Sequence, residues 1–74
     1  MGTKNDPGKF DHLAQAEPDE PIFVLRGCDP MAPMLVRMWA AQRWQEHADP
    51  EMVADARAVA DAMADWHKQH AGEE

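Results

Sequence analysis

The rhythm of apolar and polar positions changes twice along this chain. Residues 21–26, Pro21-Ile22-Phe23-Val24-Leu25-Arg26, place four apolar side chains in succession. β-Branched and aromatic residues favour a strand, and an unbroken apolar run predicts burial on both faces. After Gly27 the spacing becomes helical. Asp29 with Pro30 reads as the capped start of a first helix, because an aspartate accepts first-turn N–H groups and proline lacks only a donor that is unused there. On the helical wheel Met31, Leu35, Met38, Trp39 and Gln42 share one face, which Met34 and Ala41 widen on one side and Val36 on the other. This apolar arc is too wide for a single partner helix. Asp49-Pro50-Glu51 repeats the start signal, and Met52, Val53, Ala56, Val59, Ala60, Met63 and His67 define the inner face of a second helix. Arg57 is spaced to pair with Asp61 one turn on.

The short connection around His47–Asp49 predicts an antiparallel helical hairpin. The fold class is therefore mainly α with one short β-strand: a strand followed by an antiparallel helical hairpin, completed by homo-oligomerisation. Residues 1–20 hold Phe10 and Leu13 but little other apolar material, and predict a mobile N-terminal tail. Residues 21–70 form the strand-helix-helix domain, and residues 71–74 a disordered C-terminus. A lone strand cannot satisfy its own backbone, so its partner is expected from a second copy or from residues 9–14.

Size supports the same expectation. Ordering roughly 50 residues requires on the order of 3,000 Å² of buried apolar surface, more than one strand and two helices provide. Disulfides, metals or oligomerisation are the usual remedies for so small a domain. The single cysteine, Cys28, cannot form an internal disulfide, which leaves oligomerisation. A two-fold dimer is the simplest form.

Charge narrows the choice of partner. Fourteen acidic residues against seven lysines and arginines give a net charge of −7. Such a surface repels nucleic-acid phosphates and anionic membranes, so neither is expected as a partner. With no apolar run of membrane-spanning length, no export leader and a lone cysteine, a cytoplasmic location is expected.

Candidate chemistry is sparse. His67 and His70 share a helix face at i, i+3, but a metal would need ligands from elsewhere, such as His47 or His12. Cys28, Met31, Met34 and Met38 form a soft-ligand ladder, yet methionines at helical spacing are far more often core filler. The Cys28 thiol is followed directly by Asp29, whose charge opposes thiolate formation. Arg26-Gly27 before a helix start suggests an anion cradle, but Pro30 and Pro33 remove donors and Asp29 repels an anion. No metal, thiol chemistry or cofactor is expected, and the chain is read as not an enzyme.

The binding site is expected instead at the Arg26–Asp29 junction and along the outward edge of the first helix, at Arg37 and Trp44. An aromatic side chain beside arginines suits a protein interface, or the base and phosphate of a nucleotide-like ligand.

The run Pro-Ile-Phe-Val-Leu-Arg-Gly-Cys-Asp-Pro-Met-Ala-Pro-Met-Leu-Val-Arg-Met-Trp-Ala from Pro21, with the later Ala-Asp-Ala-Met-Ala-Asp-Trp, resembles a family of short, uncharacterised phage and prophage proteins over residues 21–66. The resemblance implies a phage-borne accessory or anti-defence role and supplies no catalytic residue. The expected function is that of a small acidic, non-enzymatic binding protein, acting as a homo-oligomer on a host protein. The alternative is an oligomeric sponge for a small anionic or nucleotide-like ligand at a subunit boundary. A thiol- or metal-dependent enzyme ranks last.

Overall fold

The structure, a computed structural model, describes residues 1–70; the expected disordered C-terminus at 71–74 lies outside the described residues. The fold is mainly helical, with α1 at His12–Gln15, α2 at Ala32–Gln45 and α3 at Pro50–Gln69. Helices α2 and α3 pack together as the expected hairpin.

The start of α3 follows the local sequence. Asp49 Oδ1 accepts the Glu51 N–H at 2.9 Å and Pro50 opens the helix. The start of α2 departs from expectation by two residues. The Asp29 carboxylate accepts the Met31 N–H at 2.9 Å, but the N-cap is Met31 and the helix opens at Ala32. Pro33 explains the shift. Residue 33 would donate to the Asp29 carbonyl in an α-helical ladder, and proline has no N–H. Ala32 donates to that carbonyl instead, at 3.1 Å in an i+3 turn, and the ladder begins with Leu35 N–H to the Met31 carbonyl.

Between the helices the chain reverses through a left-handed residue. His47 has φ 60°. Its N–H donates to the Trp44 carbonyl at 3.1 Å and the Ala48 N–H to the Arg43 carbonyl at 3.0 Å. These two bonds make the Schellman closure of a helix C-terminus, which satisfies otherwise orphaned carbonyls.

The hairpin seam consists of small side chains. Ala32, Ala40, Val53, Ala56 and Ala60 are the fully buried hydrophobics among the described residues, with Val36, Ala48 and Met1 packed against the central cluster. On α3 this agrees with the inner face read from the sequence. On α2 it does not. The seam follows Ala32, Val36 and Ala40, whereas Met31, Leu35, Met38 and Trp39 are exposed. At 100° per residue the two α2 stripes lie about 110° apart on the helix. Alanines permit the closest approach of two helices, so the narrow stripe meets α3 and the bulky one faces away.

The chain by itself forms no strand among the described residues, so the strand expected at Ile22–Arg26 is not seen in the single chain. Residues 21–25 make no hydrogen bond through their backbone groups there. The physical reason is the missing partner. Residues 9–14, the internal alternative, run instead into the short turn of α1, where Asp11 Oδ1 accepts the Ala14 N–H at 3.1 Å.

The N-terminal residues contact the hairpin at three points. Met1 packs against the core cluster, Lys9 Nζ pairs with Glu51 at 2.9 Å, and the His12 ring meets Trp39 edge-on at 6.2 Å.

The left-handed turn yields the first test. An L side chain in this conformation costs about 1–2 kcal/mol, which glycine avoids while losing more chain entropy on folding. His47→Gly is expected to raise unfolding free energy by about 0.5–1 kcal/mol in urea denaturation.

Candidate functional site

The four residues expected to form the site are distributed along the hairpin. Arg26 and Asp29 lie before α2, joined by a turn in which the Asp29 N–H donates to the Arg26 carbonyl at 3.0 Å. The Asp29 side chain caps the Met31 N–H and makes no ion pair with Arg26. The Arg26 side chain is exposed and has no ion-pair partner among the described residues.

Arg37 and Trp44 face the second helix. Arg37 Nη2 pairs with Asp61 Oδ1 at 2.8 Å. The Arg57 guanidinium lies over the Trp44 ring at 5.9 Å. The i, i+4 pairing of Arg57 with Asp61 expected from the sequence is thus replaced by two contacts between helices. Arg37 and Trp44 sit seven residues apart, two turns along one flank of α2, beside the alanine seam. They brace the hairpin. Trp44 lies twelve residues beyond the start of α2, about 18 Å along the axis from the junction. Within one chain, junction and tryptophan therefore do not converge on one small ligand.

The other chemical candidates have local partners. The His70 ring stacks on the Trp66 indole, 3.8 Å between centroids and 13° between planes. His70 Nδ1 lies 2.8 Å from the Trp66 carbonyl at the C-terminus of α3. No group of three or more metal-ligating side chains occurs among the described residues. Cys28 is a free thiol, half-buried.

Two further features shape the surface. The first is how much large apolar surface stays exposed. Phe23 is 85% exposed, and Ile22, Val24, Met31, Met34, Met38 and Trp44 are each more than half exposed. The second is a cleft of about 830 Å³ between the N-terminal loop, residues 23–28 and α3. A smaller hollow of about 240 Å³ opens beside Leu13 and Ile22–Val24. The extended segment thus has open space on both sides, and touches α3 closely near Gly27, where an added Cβ would lie 3.8 Å from Met63 Cα. The width of the α2 arc signalled the first feature. No sequence pattern signals the second, because the cleft depends on how the N-terminal loop is laid over α3.

The bracing role of Arg37 has a direct check. Both partners are substantially exposed, 49% and 74%, so solvent screens the pair. A double-mutant cycle of Arg37→Ala and Asp61→Ala is expected to give a coupling of about 0.5 kcal/mol or less, smaller still in 1 M salt.

No family model, no curated protein and no solved structure matches this chain.

Proposed function

We propose that this chain is a non-enzymatic binding protein that works as a homo-oligomer, a two-fold dimer in its simplest form. One observation carries the reading: the hairpin buries alanine and valine and leaves the large apolar side chains outside. Complete burial of a leucine, methionine or phenylalanine stabilises by about 1.5–3 kcal/mol. Roughly half of that is unrealised at each of Ile22, Val24, Met31, Met34 and Met38, and more at Phe23. Exposed apolar patches of this extent on a small protein mark an interface.

Two surfaces fit a second copy. The first is the extended segment Ile22–Arg26. Its unpaired backbone and exposed side chains suit an antiparallel strand pair across a two-fold axis, which would supply the missing ladder. The second is the outer stripe of α2. This helix contains no acidic residue, although the chain carries a net charge of −7. Two copies repel each other on average. They meet at least cost where neither presents a carboxylate, and this stripe meets that condition.

Recognition suits these groups better than chemistry does. Asp29, Arg37 and Trp44 cap or brace the fold, and the outer stripe of α2 is apolar and methionine-rich. Methionine surfaces adapt to differently shaped partners. A phage-type accessory or anti-defence role, with a host protein as target, is the biological setting that we propose. Among the described residues no helix is long and apolar enough to cross a membrane.

Light scattering at micromolar concentration tests the assembly, and a dimer is expected. Met38→Glu places a charge on the exposed α2 stripe and is expected to give a monomer of unchanged helicity. Val24→Pro, which removes a ladder donor, is expected to weaken the dimer. A wild-type chain that stays monomeric at about 100 μM with full helicity overturns the proposal.

A further inference from the structure

We infer that the cleft between the N-terminal loop and α3 is a binding site for a small amphipathic anion, with an apolar body and one carboxylate or similar group. The site lies within one chain and does not rest on the assembly proposed above.

Size and lining carry the first part. At about 830 Å³ the cleft falls within the range of small-molecule sites, roughly 300–1,000 Å³. Val59, Ala62, Met63 and Trp66 of α3 form an apolar floor, and Leu25 and Cys28 also line the cleft. Ala62 and Trp66 are exposed in the chain, so the floor is surface that a ligand can cover.

Charge carries the second part. Acids outnumber lysines and arginines by fourteen to seven over the whole chain, yet the cleft reverses this balance. Lys4 and Arg26 both line it, against the single acid Asp11. Neither cation has an ion-pair partner among the described residues. The Asp11 carboxylate already accepts the Ala14 N–H at 3.1 Å. His12 is the remaining ionisable side chain besides Cys28 in the lining.

An apolar floor beside cations that pair with no described residue fits a ligand that is apolar over most of its length and anionic at one end. The long lysine and arginine stems add apolar cover, while their charged ends hold the anion. An anionic membrane surface would offer the same chemistry. The surrounding surface of a chain at −7 opposes that source, whereas a small molecule meets only the local charge.

Isothermal titration calorimetry with octanoate and with octan-1-ol, on the full chain at neutral pH, separates these terms. Octanoate is expected to bind once per chain with a Kd of about 0.1–1 mM, at least about tenfold tighter than the alcohol. The double variant Lys4→Ala/Arg26→Ala is expected to lose that tenfold preference while keeping its helicity by circular dichroism. Ala62→Trp fills the floor from an exposed position and is expected to abolish octanoate binding; Ala62→Leu replaces it if the tryptophan lowers helicity. No binding up to about 5 mM overturns the inference. So does equal affinity for acid and alcohol, a preference that survives in the double variant, or binding unaffected at position 62. In parallel, sedimentation with phosphatidylglycerol vesicles is expected to leave the protein in the supernatant. Arg26-dependent co-sedimentation without octanoate binding assigns the cations to a membrane surface and also overturns it.

Discussion

Contact between α2 and α3 along a seam of alanine and valine governs the rest of this structure. Two helices can approach only as closely as the side chains between them allow. Ala32 and Ala40 on one side, and Ala56 and Ala60 on the other, keep that spacing small. The seam is well defined but contributes little energy, since each buried methyl-sized group supplies about 0.8 kcal/mol. Helix caps and the Schellman closure at His47 fix where the helices start and stop, without adding a core. A hairpin built this way is specified in geometry before it is secured in stability.

The chain's larger hydrophobic groups are consequently placed around the seam rather than in it. Met31, Met34, Leu35 and Met38 project from α2 away from α3, and Ile22–Val24 run past the hairpin with open space on both sides. Polar contacts confine themselves to bracing: Arg37 with Asp61, Arg57 over Trp44, Lys9 with Glu51. These exposed pairs orient the parts and cannot replace missing apolar burial. A second copy against the acid-free helix face, and a ligand in the cationic cleft, are the two proposed ways in which this surface is put to use.

Much of this arrangement is legible in the residues, and the exceptions have identifiable causes. The whole inner face of α3 follows from periodicity, because its outward positions carry Asp61, Asp65 and Lys68 and leave one apolar side. The Asp49-Pro50 start is equally local. Helix α2 is different. It is apolar around most of its circumference, so periodicity offers two faces and cannot say which meets α3; the small alanines decide it. The opening of α2 depended on Pro33 as well as on Asp29. Within one chain Arg26 and Asp29 stay apart from Arg37 and Trp44, whose partners sit on the other helix and are chosen by the register of the hairpin. The strand expected at Ile22–Arg26 rests on local residue preference and an unbroken apolar run, and a ladder needs a second strand that no other part of the described chain provides.

In the proposed dimer the large apolar side chains outside the seam are covered by another copy. The most direct measurement uses methyl-labelled methionine and a soluble paramagnetic agent, reading relaxation enhancement at Met31, Met34 and Met38 across protein concentrations. Assembly requires strong enhancement at low micromolar concentration and marked protection as concentration rises. Equal and undiminished enhancement at the three α2 methyls up to millimolar concentration, with helicity intact, would contradict it.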